Sequence, residues 1–318
     1  MKLTVSSAPH ITGKDSSRSI MLDVIIAMIP AIIASGIIFG PRAVILTAVT
    51  AAACVGFEFL YQKVMKLPCT VGDLSAVVTG ILLAFNMPST MPFWMAIVGS
   101  FFAIVVVKQL FGGIGFNFVN PAITARIILA TSFGSQMTNF VYPKSASDAI
   151  VSATPLAANA AGSFANKPYP YMDMFLGTTG GVLGETSAIA LIIGFAYLLI
   201  KKVISPAIPL TYVGTVAVLA LVFGQDPLFH VLSGGLLLGA IFMATDYVTS
   251  PYTLKGKIVF GFCLGLITMM IRVFGTMTEG VSYAIIIMNL LVPYINKLTR
   301  QRPLGFVKTQ KQPEGGKK

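Results

Sequence analysis

Lys108-Gln-Leu-Phe-Gly-Gly-Ile-Gly-Phe-Asn-Phe-Val-Asn-Pro-Ala-Ile-Thr-Ala-Arg126 interrupts a chain that is otherwise almost all apolar helix. Gly112, Gly113, Gly115, Asn117, Asn120 and Pro121 stand between two strongly apolar runs. Hydrocarbon offers no water to unpaired N–H and C=O groups. Irregular backbone at membrane depth therefore persists only where it is buried in protein or lines a cavity. On that ground the stretch builds a site. Asn120 before Pro121 also reads as a helix cap with proline at the first helical position, and the glycines as places for close helix packing. Both readings stand at this point.

The surrounding composition explains why such a break matters. The 318 residues are 55% hydrophobic and only 10% charged, with a mean hydropathy of +0.84; soluble domains carry about 25% charged residues. The spacing predicts an all-α, polytopic membrane protein. At roughly 20 apolar residues per crossing, ten segments emerge, at 20–39, 43–61, 74–86, 93–111, 117–133, 183–200, 208–224, 228–243, 258–275 and 280–296. The polar stretch before a long first apolar run reads as a signal anchor rather than a cleavable signal peptide.

The segments divide the chain into an N-terminal arm (1–19), a first membrane repeat (20–133), a long loop (134–182), a second membrane repeat (183–298) and a basic tail (299–318). Five helices per half is an odd number, so the two repeats would be inverted, with interrupted half-helices placing the site between them. Short echoes relate the halves: Thr79-Gly-Ile-Leu-Leu-Ala with Gly234-Gly-Leu-Leu-Leu-Gly, and Gly113-Ile-Gly-Phe with Gly280-Val-Ser-Tyr.

The net charge of +11 follows the topology. With the N-terminus inside, Lys and Arg divide 17 inside to 3 outside, the three being Arg42, Lys144 and Lys167. That split obeys the positive-inside rule and places both termini in the cytoplasm and the long loop outside. The charges are scattered at helix ends and form no patch, which argues against nucleic-acid binding. Three cysteines without a C-x-x-C pattern supply no iron–sulfur cluster. His10 and His230, on opposite sides of the membrane, argue against a bis-histidine haem.

The loop exceeds the roughly 12–15 residues usual for an unstructured connection, which points to function or disorder. Within it, Thr154-Pro155 and the alanine-rich run after them read as an N-cap, a first helical position and a short helix. A phosphate carried by Thr154 would meet the free N–H groups of that helix start.

Five motifs occur in order: Gly112-Gly-x-Gly-x-Asn-x-x-Asn-Pro-Ala122, Ser152-Ala-Thr154-Pro, Gly184-Glu-Thr-Ser187, Phe242-Met-Ala-Thr-Asp-Tyr-Val-Thr-Ser-Pro251 and Glu279-Gly-Val-Ser-Tyr-Ala-Ile-Ile-Ile-Met-Asn289. Together they resemble the family that contains the D subunit of the Rnf complex and the B subunit of sodium-pumping NADH:quinone reductase. The resemblance spans the first helix to about residue 300.

The resemblance implies a flavin-carrying inner-membrane subunit of a bacterial complex. That complex passes electrons between ferredoxin and NAD, coupled to Na+ or H+ movement, together with other Rnf subunits. It implies covalent FMN on the extracytoplasmic loop, a phosphoester to Thr154 made by an extracytoplasmic flavin transferase, with Ser152 and Ala153 beside the acceptor. Val151 and Ser152 depart from the family's Ser-Gly-Ala-Thr pattern. It also implies a second, non-covalent flavin, riboflavin, near Asn117 and Asn120, with Gly112, Gly113 and Gly115 shaping its seat.

Arg126 would neutralise a flavin phosphate or pair with an acid, since an unpaired arginine in apolar surroundings is costly. Glu185 with Thr186, and Asp246 with Thr245, are candidate cofactor contacts. Hard cations take oxygen ligands, which makes Glu58, Glu185 and Asp246 candidates for Na+. For Glu58 and Asp23 an interfacial position, with snorkelling or a Lys63 contact, also suffices. A small-solute channel or secondary transporter of urea-channel-like architecture, and a membrane scaffold, are the alternatives, because fold does not fix function.

Overall fold

The computed structural model describes residues 16–141, 151–161, 169–275 and 279–301. Most of the N-terminal arm, Asp148 and the tail from 302 lie outside them.

Helix α1 (Ser17–Phe39) begins on a reciprocal cap. Ser16 Oγ accepts from the Ser19 N–H at 3.2 Å, and Ser19 Oγ accepts from the Ser16 N–H at 3.0 Å, which satisfies two otherwise orphaned donors. Gly40 at φ 85° turns the chain and Pro41 opens α2 (Pro41–Val64), so one residue links the first two helices. A single turn at Val71–Asp73 leads into α3 (Ser75–Phe85), buried over nearly its whole surface. All-round burial marks a core helix. Next, α4 (Phe93–Phe101) runs directly into a π-helical stretch, Phe102–Gln109. The glycine break follows, and α5 (Pro121–Ser132) restarts from the Asn120 cap.

The long loop has structure of its own. A four-residue helix α6 (Gly134–Met137) precedes β1 (Phe140–Val141), which pairs antiparallel with β2 (Val151–Ser152). Then come α7 (Pro155–Ala160) and α8 (Tyr171–Leu176). The second half contains α9 (Ala188–Ile200), α10 (Ala207–Val222) and α11 (Pro227–Leu232). It continues with α12 (Leu236–Leu238), which enters a second π stretch at Gly239–Met243, then α13 (Leu254–Phe274) and α14 (Val281–Leu298).

Among the described residues, α1, α2, α13 and α14 are long and apolar enough to cross a membrane, and α3, α4 with its π extension, α5, α9 and α10 are shorter apolar helices. The chain is thus a helical, multi-pass membrane protein. Each expected segment contains helix, with three changes of detail. The fifth starts at Pro121 rather than 117, because Asn120 caps it. The sixth starts at Ala188 rather than 183, because Ser187 Oγ accepts from the Ala190 N–H at 3.4 Å. The eighth is two pieces, divided at residues 233–235, where Gly234 takes φ 64°.

Helix pairs α1–α9, α2–α3, α2–α4, α10–α13, α13–α14 and α5–α14 form the body. Gly261 and Gly265 let α13 lie against α10: a Cβ on Gly265 would fall 2.6 Å from Thr215 Cβ. Membrane helices use this small-residue spacing to bring backbones together. The glycines of the break serve another purpose. Gly112, Gly113 and Gly115 adopt φ +113°, +91° and +90°, and a Cβ on Gly115 would meet nothing within 4 Å. They turn the chain through conformations that strain any L side chain, so the expectation of close packing at these positions is corrected.

Candidate functional site

Two cavities approach each other along α5, one from each end of the helix body. Asp23 of α1, Tyr197 and Lys201 fix the first end: Tyr197 Oη donates to Asp23 Oδ1 at 2.7 Å, and Lys201 Nζ lies 3.8 Å from the same oxygen. The cavity at this end has a volume of about 250 Å³. Asn117, Asn120, Thr245 and Asp246 line it, together with Lys108, Ala122 and apolar residues of α1 and α3. The structure thus brings four expected site residues together, from segments more than a hundred positions apart. Gly112, Gly113 and Gly115 shape the backbone beside the cavity without lining it.

The asparagines hold the breaks together. Asn120 Oδ1 accepts from the Ala122 and Ile123 N–H groups at 3.0 and 3.3 Å, and its Nδ2 donates to the Met243 carbonyl at 3.3 Å. With its amide turned so that oxygen faces Asn120 N–H, Asn289 accepts there at 3.1 Å and donates to the Thr249 and Ile285 carbonyls. The capping role of Asn120 is therefore realised, and α5, α14 and the segment after the second π stretch meet at one knot. Among the described residues Asn117 makes only a local bond, Nδ2 to the Val119 carbonyl at 3.2 Å. Asp246 accepts from Thr249 Oγ1 at 3.0 Å, and Thr245 Oγ1 donates to the Ile241 carbonyl.

Lys108 is the residue that sequence reasoning missed at this end. As a lysine next to a glycine loop it reads as an interfacial charge. In the structure it is 3% exposed, because the π stretch turns it inward. Lys108 Nζ lies 3.0 and 3.2 Å from the two carboxylate oxygens of Glu58 and donates to Ser75 Oγ at 2.6 Å. Gln109 Nε2 donates to Glu58 Oε1 at 2.7 Å. The expected Lys63 contact is corrected: Lys63 Nζ lies 5.8 Å over the Phe59 ring.

Breaking a buried ion pair from one side leaves a stranded charge and typically costs 3–5 kcal/mol, whereas removing both partners is often neutral. Lys108→Met is expected near the lower limit, about 3 kcal/mol, since Gln109 still solvates Glu58. Lys108→Met with Glu58→Leu should recover most of that loss. Denaturant unfolding of all four forms measures the coupling; additive losses would contradict the pairing.

The opposite end carries Thr154, the N-cap of α7, whose Oγ1 accepts from the Ala157 N–H at 3.3 Å. Thr154 and Ala153 line a cavity of about 570 Å³ with Arg126, Glu279, Ser282 and Tyr283. Ser152 lies in β2, two residues before the cap. Arg126 forms hydrogen bonds to Ser282 Oγ and Glu279 Oε2, and its Nη2 lies 3.7 Å from Glu185 Oε1. The arginine is thus held by acids from two distant segments, as burial of a guanidinium requires.

Glu185 and Thr186 border a small cleft of about 20 Å³ on the other side of Thr154, shared with Ser233, Gly234 and Glu279. Glu185 Oε1 and Thr186 Oγ1 have no hydrogen-bond partner among the described residues. No group of three or more His, Cys, Asp or Glu residues is placed to hold a metal among the described residues. Glu279 and Ser282 belong to a quoted motif, yet nothing in their spacing tied them to Arg126, some 150 positions earlier.

A latch seats the loop on α11. Tyr171 Oη donates to Asp226 Oδ2 at 2.5 Å, and the Tyr169 ring stacks on Phe229 at 4.3 Å. Burial raises the Asp226 carboxyl, but hydrogen bonds from Tyr171 and from the Phe229 and Leu228 N–H groups outweigh it and hold the group below its usual range. The same bond, with burial, pushes the Tyr171 phenol up to about 12. A carboxyl lowered by folding stabilises the folded state above its unfolded value, and that contribution is lost as pH falls through the folded one. Amide protection in 169–176, taken relative to the intrinsic exchange rate at each pH, should therefore fall only below the ordinary aspartate value of about 3.9. Tyr171→Phe should show faster exchange at neutral pH; an unchanged rate would remove this bond from the latch.

The sequence profile of the NQR2, RnfD, RnfE family matches residues 4–305. Over 314 residues the chain is 48% identical to the D subunit of the Na(+)-translocating ferredoxin:NAD(+) oxidoreductase complex of Acetobacterium woodii, covering 98% of each chain. It is 40% identical to the D subunit of the proton-translocating ferredoxin:NAD(+) oxidoreductase complex of Clostridium ljungdahlii, covering 95% of this chain and 96% of the relative. A third relative, the D subunit of the ion-translocating oxidoreductase complex of Stutzerimonas stutzeri, is 35% identical over 92% of this chain and 93% of its own. With a family profile and full-length relatives in agreement, the chain belongs to the NQR2, RnfD, RnfE family.

Proposed function

We propose that this chain is the D-type membrane subunit of an ion-translocating ferredoxin:NAD+ oxidoreductase, relaying electrons through two flavins. The observation that carries the reading is the pair of cavities separated on α5 by a single helical turn: Ala122 lines one and Arg126 the other. An open channel needs one continuous path. Here buried Ile123 and Ala125 lie between the two chambers.

FMN would be joined by phosphoester to Thr154, with its ring in the larger cavity. Its volume of about 570 Å³ falls within the roughly 300–1,000 Å³ of ligand sites. Arg126, held by Glu279 and Glu185, would share its guanidinium donors with the phosphoester. Since α7 has only six residues, its own dipole adds little. The smaller cavity at the Lys201 end, with Asn117 and Asn120 in its lining, would hold riboflavin. Bound flavin supplies one-electron steps, and nearby donors tune its potential.

Ten membrane segments in two inverted five-helix repeats accommodate the short helices α3, α5 and α9. In this topology both termini are cytoplasmic and Thr154 is extracytoplasmic, within the bacterial inner membrane. Other Rnf subunits, membrane lipid and an extracytoplasmic flavin transferase are the partners. The 48% relative is named for Na+ and the 40% relative for protons, so similarity alone does not select the coupling ion.

Flavin analysis of the purified complex tests the proposal. The chain should fluoresce after denaturing electrophoresis, and acid should release further, non-covalent flavin. Asn117→Leu should lose the acid-released flavin with little effect on folding, because among the described residues Asn117 makes one local bond. Asn120→Leu should also lower folded yield, since a cap is worth about 1 kcal/mol and the stranded Met243 carbonyl about 1–3 kcal/mol. A complex free of flavin of either kind would overturn the assignment.

A further inference from the structure

The folded chain hides the hydroxyl that is to be modified. Thr154 is 5% exposed, and its Oγ1 already accepts from the Ala157 N–H. Two residues on, Leu156 is buried in a cluster with Met174 and Phe229. Leu156 Cδ1 would lie 2.7 Å from a Cβ on Gly234, so α7 presses directly onto the break between α11 and α12. The Tyr171–Asp226 bond and the Tyr169–Phe229 stack hold the following segment against the same helix.

A transferase must surround the acceptor with its own active site. The attacking oxygen has to approach phosphorus in line, from about 3–3.5 Å. In that step the Thr154 oxygen forms the new P–O bond to FMN and the pyrophosphate bond of a flavin dinucleotide breaks. The nucleoside monophosphate leaves, and the hydroxyl proton passes to a base of the transferase. A second protein cannot assemble that geometry around a hydroxyl enclosed between a cavity and a cleft of about 20 Å³.

We infer that Thr154 receives its flavin before α7 seats on α11, and that the seated state is closed to the transferase. The inference rests on the covalent-flavin reading and adds an order of events to it. Attachment comes first, on an acceptor segment drawn out of its helix. Docking follows, carries the ring into the cavity beside Arg126 and leaves the phosphoester out of reach.

The test uses the full chain, made without transferase, purified in detergent and then supplied with transferase, magnesium and flavin dinucleotide. Covalent fluorescence after denaturing electrophoresis gives the rate. Asp226→Asn, Phe229→Ala and the milder Tyr171→Phe all weaken docking and leave the acceptor segment's own residues unchanged. They should raise the initial rate over the parent chain, by about tenfold where ~1.4 kcal/mol of docking is lost. In parallel, Thr154→Cys should react slowly with a bulky maleimide in the parent background and faster with Asp226→Asn. Equal labelling of the parent and docking-weakened chains overturns the order of events. Failure of every chain to take up flavin, with the thiol still shielded, would instead overturn the covalent-flavin reading and this inference with it. Gel filtration identifies any variant that has unfolded, and the remaining variants decide.

Discussion

Thr154→Ala is expected to reach the membrane folded and to carry no covalent flavin. The substitution removes the only atom able to hold the phosphoester at that position and leaves the walls of the cavity in place. Its structural cost is that of one N-cap, about 1 kcal/mol, because Leu156 still anchors α7 against Met174 and Phe229. Loss of fluorescence should therefore be complete while membrane content stays close to normal. Thr154→Ser keeps a hydroxyl at the cap and should keep flavin. Undiminished covalent fluorescence in the alanine variant would move the attachment site elsewhere. A drop in membrane content matching the loss of fluorescence would reveal a folding defect instead.

Arg126→Leu is expected to produce the largest loss of stability. Arg126 is the shared partner of Glu279 and Glu185, and it also donates to Ser282. Without it, buried Glu185 and half-buried Glu279 face each other with no cation between them. One-sided removal of a buried pair costs about 3–5 kcal/mol, and the upper limit applies because two acids lose their partner. Arg126→Lys keeps the charge but lacks the planar fork that reaches several acceptors at once, so an intermediate loss is expected. Adding Glu279→Gln to Arg126→Leu should restore part of the stability by removing one stranded charge. Membrane content and denaturant midpoints measure these effects; wild-type stability in Arg126→Leu would mean that the acids find other partners.

Local chemistry was legible and distant pairing was not. Asn120-Pro121 and Thr154-Pro155 announced helix starts because a cap and a first-turn proline act within three residues, and both helices begin there. The apolar runs announced helices because burial in lipid demands length and composition. The Lys108–Glu58 pair spans 50 positions and the Arg126–Glu279 contact 153, and no sequence period connects them. The π stretches were equally silent: an extra residue per turn rotates the following side chains by about 100°, but Phe102–Val107 is apolar on every side and its pattern shows no break. Lys108 was misread for that reason: its inward direction depends on Phe102–Gln109 winding as it does. The glycines of the break were legible as a break, but not in their role, because a positive φ and a close contact call for the same residue.

The single turn of α5 between the two cavities has an electrical consequence. From Ala122 to Arg126 is about 6 Å at 1.5 Å per residue, against a hydrocarbon core of about 30 Å. A membrane voltage falls mainly where polarizable medium is absent, and a water-accessible recess carries the bulk potential inward. In the proposed topology the two recesses would enter from opposite faces, and the field would concentrate on that thin septum. An elementary charge crossing it exchanges about 2.3 kcal/mol for every 100 mV within one hop. Electron passage from one chamber to the other would then register as most of a full charge displacement, so the turnover of this subunit would slow or accelerate directly with the voltage of the cell.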